Sequence, residues 1–287
     1  MLKNILYILY KFLKLFDAVF IYLLNKSFLI SLRELIEKDS YKTIKINKKN
    51  IIFFIPNQLT KWRVDTFFSK EPETLKWIDN FSDDKNCVFW DIGANIGLYS
   101  IYAAIKKNNC KIISFEPSTS NLRLLSRNIS INNLNDKIKI FTNPLSNKNK
   151  FLNMNEPSFI EGGALNTFGE NFDFKGDKLE STMHYQLYGN TINFLLDNKI
   201  VDMPNYLKID VDGIEHLILE GGNNYLLDKN LLGICIEINE NFEDQHKRIL
   251  NILDKNKFYF SHKENTYLLE DRSSHFSKSF NYFFIKN

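Results

Sequence analysis

The sequence predicts a doubly wound α/β fold: a mostly parallel sheet covered on both faces by helices, preceded by a helical segment and a β-hairpin. Three observations carry this reading. From Cys87 onward, short apolar runs alternate with stretches of helical length, the pattern of successive βαβ units. The first of these runs passes through a glycine loop, Gly93 to Gly97, straight into a helix. The next run ends on an acid, Glu116, at the strand terminus where open α/β sheets present side chains to a ligand.

Length and composition set the frame. A chain of 287 residues can bury one large core and carry an appendage. The division falls into an N-terminal helical segment and hairpin over 1–66 and a main domain over 67–287. With 44% hydrophobic and 25% charged residues the chain is of ordinary globular type. A net charge of +3 is too small to argue for nucleic acid, so no nucleic-acid partner is expected. Cys87, Cys110 and Cys235 are odd in number, widely spaced and without metal-ligand spacing. They predict buried free thiols in a reducing compartment and hence a cytoplasmic protein.

Residues 1–36 are unusually apolar, with Ile5, Ile8, Leu9, Phe12, Phe16 and Val19 among them. Lys11, Lys14 and Asp17 interrupt the run, so it lacks the ~20 apolar residues of a bilayer span. No small-residue cleavage site follows, which argues against a secretory signal. The favoured reading is a pair of helices packing on the main domain or on a partner, a second copy included. The other reading is an interfacial helix at the inner face of a membrane, basic residues at the headgroups. Residues 41–46 and 51–55 read as a hairpin turning at 47–50, and 73–81 as a helix. The main domain then predicts strands at 87–90, 111–115, 138–141, 206–211 and 232–238. Helices are predicted at 98–106, 120–132, 214–220 and 244–255, with closing strands at 258–261 and 281–285. Residues 146–189, rich in Asn and Gly, read as a long loop above the sheet, where substrates are commonly gripped.

The chemistry gathers at strand ends. In Asp91-Ile-Gly-Ala-Asn-Ile-Gly97 the spacing is G-x-x-x-G, unlike the G-x-G-x-x-G that cradles a dinucleotide pyrophosphate. An acid before the loop would repel a pyrophosphate and suits a ligand carrying an ammonium and a sulfonium. Glu116, followed by Pro117, is placed to accept both ribose hydroxyls of an adenosine. The plainer reading makes it a helix-terminal acid with Pro117 opening the helix.

Asp91-Ile-Gly-Ala-Asn-Ile-Gly97, Phe115-Glu-Pro117, Lys208-Ile-Asp-Val-Asp-Gly-Ile-Glu215, Glu220-Gly-Gly222 and Ile236-Glu-Ile238 together resemble the FkbM family of methyltransferases. The resemblance runs from about Phe67 to the C-terminus. It implies S-adenosylmethionine as cofactor, a Rossmann-like class I sheet of seven strands with one antiparallel, and transfer to a hydroxyl. Asp91, Gly93, Ala94, Asn95, Gly97, Glu116, Pro117, Asn143 and Asp210 are the expected cofactor contacts. The family's acceptors imply a sugar, glycan, nucleotide sugar or other natural product, which points to polysaccharide modification. Pro144 departs from the family pattern, which usually has alanine there.

Asp210 ends the strand predicted to face the methyl group and is the first catalytic candidate. A solvated aspartate is a weak base, so it needs desolvation or a metal to acidify the hydroxyl. Glu237, with Asn239, is placed to complete such an oxygen-ligand site, but the reading without a metal is favoured. His184, beside Tyr185 and Tyr188, and His216 are rival bases. Asp212 and Glu215 read as a capping box. The string around them lacks the remaining ligands of a calcium loop. A nicotinamide oxidoreductase lacks its glycine spacing here, and the segment after residue 210 does not resemble an N-methyltransferase pocket. A non-catalytic membrane-associated assembly subunit would leave the adenosyl motifs unexplained.

Overall fold

A computed structural model describes residues 2–82, 87–179, 183–265 and 278–286. The chain begins with helices α1 (Leu2–Leu24) and α2 (Phe28–Asp39), then the hairpin β1 (Tyr41–Ile46) and β2 (Lys49–Phe54). Asn47 and Lys48 have φ of 49° and 64°, the left-handed pair that a two-residue hairpin turn requires. The turn is therefore shorter than the four residues expected. Helices α3 (Gln58–Asp65), α4 (Phe67–Lys70) and α5 (Pro72–Asp79) lead into the main sheet.

That sheet is built from β3 (Cys87–Ile92), α6 (Leu98–Lys106), β4 (Cys110–Phe115), α7 (Thr119–Ile131) and β5 (Ile138–Phe141). After an insertion it resumes with α8 (Ile192–Asp197), β9 (Tyr206–Ile209), α9 (Glu215–Glu220), β10 (Gly233–Asn239) and α10 (Glu243–Lys255). It closes with β11 (Tyr259–Asn265) and β12 (Ser279–Ile285). The order is β11-β12-β10-β9-β3-β4-β5. Here β12 runs antiparallel to both neighbours and the other pairings are parallel, as expected for a mostly parallel sheet with one antiparallel strand. Every residue of β3 is buried because both faces of the strand are covered. Val88, Trp90 and Ile92 enter the core under α8, α9 and α10. Cys87 and Phe89 enter the other core with α5, α6, α7 and Phe53 and Phe54 of the hairpin.

Two expectations change. Residues 146–189 are not a bare loop. They form a three-stranded antiparallel sheet in which β6 (Phe151–Glu156) lies between β7 (Thr167–Phe168) and β8 (Met183–Tyr188). Residues 180–182 of that stretch lie outside the described residues. Alternating burial in β8, with Tyr185 and Leu187 inward, gives these strands one packed face despite their polar composition. Cys87 and Cys110 are not free thiols. Parallel pairing of β3 with β4 sets them directly opposite each other, with Cα atoms 4.4 Å apart, and they are joined as a disulfide. Only Cys235 is a free, buried thiol among the described cysteines.

The N-terminal helices stand apart from this core. No single described helix is long and apolar enough to cross a membrane, and α1 and α2 meet at a bend of 112°. Glu37 of α2 pairs with Arg123 and Arg127 of α7. In α1 every residue but Leu13, Asp17 and Phe20 is exposed, so the expected packing of α1 on the main domain is not found.

The turn from β3 to α6 fixes the site. Gly93 has φ of +85°, and a Cβ there would lie 1.8 Å from the backbone oxygen of Asp210. Both the conformation and the contact demand glycine. Gly93→Ala is expected to cost about 2–4 kcal/mol, from backbone strain and overpacking together. A denaturant titration of the variant against the parent checks this.

Candidate active site

Two cavities meet at the carboxyl ends of β3 and β9, the crevice that strand order creates in such sheets. The first is lined by Gly93, Asn95, Glu116, Pro117, Asn143 and Asp210, and roofed by Met154 and Phe168 of the inserted sheet. The second has a volume of about 390 Å³ and is lined by Trp62, Arg63, Lys70, Glu71, Tyr99, Lys208 and Glu237. Gly93, Asn95, Ala164, Asp210 and Asp212 border both.

The first cavity offers acceptors suited to the hydroxyls of an adenosyl group. Glu116 Oε2 accepts from the Asn95 amide at 2.7 Å and its Oε1 from the Ser118 amide at 2.9 Å. This holds the carboxylate against the glycine loop and leaves lone pairs for ribose hydroxyls. Burial pushes Glu116 up to about 7. Asn95 Nδ2 donates to the Gly163 carbonyl at 2.7 Å, while its Oδ1 is buried without a partner. An unpaired buried acceptor bordering a cavity suits a ligand donor.

The second cavity contains a chain of charges, Lys208 and Glu71 buried and Asp210 and Lys70 half-buried. Lys208 Nζ donates to Asp210 Oδ2 at 2.7 Å and lies 4.8 Å from the centre of the Tyr99 ring. Tyr99 donates its hydroxyl to Glu71 Oε2 at 2.6 Å, and Glu71 Oε1 accepts from Lys70 at 2.7 Å. Burial alone would raise the Asp210 carboxyl, but the Lys208 ammonium outweighs it and holds Asp210 below the usual range. Glu237 borders the same cavity as Asp210. Burial and the Asp210 charge push Glu237 well above the usual carboxylate range.

The structure brings together Asp210, Glu237, Gly93, Asn95, Glu116, Pro117 and Asn143. Ala94 lines only the second cavity. Asp91 and Gly97 line neither. Asp91 is fully buried, accepts from Ser100 at 2.5 Å and faces Lys208 across the strand pairing. Gly97 is the left-handed start of α6. His184 is exposed on β8 and lines neither cavity, because alternation along the strand turns Tyr185 inward instead. His216 is buried, and burial, then Arg248, lowers it to about 4. It sits between Phe172 and Phe242.

The capping box does not form. Asp212 has φ of 61°, which turns its carboxylate away from α9 to accept from Leu165 of the insertion at 2.6 Å. Glu215 accepts instead from the Val211 and Gly213 amides and from Gln245. Lys208, Tyr99, Glu71 and Lys70 were not anticipated. For Lys208 a signal existed, since a lysine two residues before Asp210 on a strand shares its face. For Glu71 and Lys70 none did.

Comparison with known proteins gives the chain's family. Residues 91–267 match the family model described as Methyltransferase FkbM domain. No curated protein sequence matches the chain. Among solved structures, the chain is similar to the precorrin-6y C5,15-methyltransferase of Geobacter metallireducens GS-15, at 15% identity over 76% of this chain and 87% of that one, TM-score 0.45. It is similar to M. jannaschii TYW2 in complex with AdoMet, at 13% identity over 86% and 87%, TM-score 0.42. It is similar to M. capricolum TrmK in complex with S-adenosyl-homocysteine, at 12% identity over 74% and 67%, TM-score 0.43. The cofactor is S-adenosylmethionine.

Glu116 gives this site a pH signature. A cofactor whose ribose hydroxyls donate to Glu116 would bind the ionised carboxylate more tightly and lower its pKa. Affinity should therefore rise as pH is raised through about 7 and fall below it. Calorimetry across this range should show the rise in the parent and a flat profile in Glu116→Gln. Glu116→Ala should weaken binding by ~1.5–3 kcal/mol, the worth of charge-assisted hydrogen bonds.

Proposed function

The chain belongs to the FkbM methyltransferase family, and from that premise we propose that it methylates a hydroxyl of a sugar, glycan or nucleotide sugar. One observation carries the proposal: a carboxylate held ionised by a buried lysine stands where the cofactor cavity opens into the second cavity. When bound, the cofactor supplies an electrophilic methyl group. The chain's own residues supply position and proton acceptance. Asp210 accepts the hydrogen bond of the incoming hydroxyl and so orients its oxygen. That proton becomes acidic as the oxygen is alkylated, so a carboxylate with a low pKa can take it late in the step. Lys208 fixes the carboxylate's direction.

The lining of the second cavity supports a polyol. Trp62, Phe67 and Tyr99 offer apolar faces, while Glu71, Asp210, Asp212 and Glu237 offer acceptors for hydroxyl donors. Four carboxyl groups against Arg63, Lys70 and Lys208 make poor company for a nucleic-acid backbone, which is bound by an excess of cations. A panel of sugars, nucleotide sugars, glycans and tRNA, incubated with methyl-labelled cofactor and read by mass spectrometry, tests the acceptor class. Label on a sugar hydroxyl supports the proposal, and label on an RNA base or a carbon centre overturns it.

Asp210→Asn should bind cofactor within a few-fold of the parent yet lose ~10²–10⁴-fold in turnover, the usual cost of losing a general base. A chelator should leave the parent's rate unchanged. Loss of activity in chelator would instead assign Asp210 and Glu237 to a metal. His184→Ala should retain full turnover, and a loss there would return the base role to the inserted sheet.

A further inference from the structure

Helix α1 is 23 residues long and leaves its apolar side uncovered. Ile5, Ile8, Leu9, Phe12, Phe16, Val19 and Leu23 follow one another at helical spacing on one face, and each of the large ones is about half exposed or more. Leu6, Leu15 and Leu24 widen that face to about half the circumference, at about 100° per residue. A helix–helix seam is narrower, confined to the a and d positions of a heptad. Lys3, Tyr7, Tyr10, Lys11 and Lys14 follow the spacing i, i+4, i+7, i+8, i+11 on the other side and are all exposed. Lys11 rests over the Tyr7 ring at 4.9 Å. The acid of this helix, Asp17, is turned inward. Its carboxylate accepts from the Ser27 hydroxyl at 2.9 and 3.0 Å and from the Leu29 amide at 3.0 Å. All the charge that α1 shows to its surroundings is therefore positive.

We propose that α1 lies flat on an anionic lipid surface, its phenylalanine and leucine face in the acyl boundary and its lysines among the headgroups. A broad apolar face, a polar face whose charges are all basic and tyrosines flanking the lysines are what an interfacial helix needs. The 112° bend into α2 keeps it lying rather than crossing. α2 anchors the main domain to it, since Glu37 is bound by Arg123 and Arg127 of α7. This inference is independent of the acceptor.

Flotation of the full-length chain with vesicles tests it. The chain should float with phosphatidylcholine–phosphatidylglycerol vesicles, less with pure phosphatidylcholine, and less again as salt is raised. Each basic residue near an anionic surface is worth about 1 kcal/mol, roughly fivefold in binding. The triple variant K3Q/K11Q/K14Q should thus bind roughly a hundredfold more weakly. Leu9→Ser with Phe12→Ser, both at exposed positions, should lose binding while keeping parental cofactor affinity. Absence of flotation, or binding equal on both vesicle types and indifferent to the lysines, overturns the proposal. So does an oligomer in light scattering that Leu9→Ser with Phe12→Ser breaks while no vesicle is bound, which would assign the face to a second copy.

Discussion

Lys208 carries an ammonium into the middle of a seven-stranded sheet, and the site is arranged around that charge. The residue is 1% exposed, and an isolated charge at such depth would be prohibitively costly. Asp210 on its own strand, Asp91 on the neighbouring strand and Glu71 before α5 together hold it protonated against burial. The dependence is mutual. Removing one partner from a buried ion pair typically costs ~3–5 kcal/mol because the other is left uncompensated. Fold stability and the ionisation of Asp210 are therefore tied to the same group.

Around this centre, close approaches of backbone set where each ligand lies. Gly93 lets the loop after β3 touch the carbonyl of Asp210, so the glycine loop and the backbone at Asp210 are packed against each other. Glu116 ties the same loop to the end of β4 through the Asn95 amide. The inserted sheet closes over both cavities from above. Asn121 accepts from the Gly162 amide, the Gly163 carbonyl accepts from Asn95 and Asn121, and Asp212 accepts from the Leu165 amide. Each contact joins the roof to a residue that borders a cavity or neighbours one that does. The insertion is thus tied to the walls of both cavities.

Much of this was legible in the sequence because it follows local rules. Apolar runs with glycine punctuation located the strands and helices of the sheet. Glu116 and Asp210 are legible because the carboxyl ends of strands in such sheets are where ligands are bound. What could not be read depended on register between distant segments. Pairing of Cys87 with Cys110, and of Asp91 with Lys208, exists only once the strands lie side by side. Asp91 consequently serves the buried lysine and lines neither cavity. Asp212 was misread because its left-handed backbone sends the side chain to the insertion rather than to α9. The insertion itself looked like loop because its strands are polar and short, and Glu71 reaches the site from outside every motif.

The most direct test of this account is the pH–rate profile of Lys208→Met beside that of the parent. With Lys208 present, Asp210 is held below its ordinary pKa, so turnover at saturating cofactor should persist at low pH and be lost only as pH falls through that depressed value. With methionine in its place, burial and the neighbouring carboxyl groups raise Asp210. The acidic limb should then move to higher pH by at least about one unit, a factor of ten in protonation, while calorimetric cofactor affinity stays near the parent's. An acidic limb at the parent's position, in a variant that folds and binds cofactor, would contradict the claim that Lys208 sets the charge on Asp210.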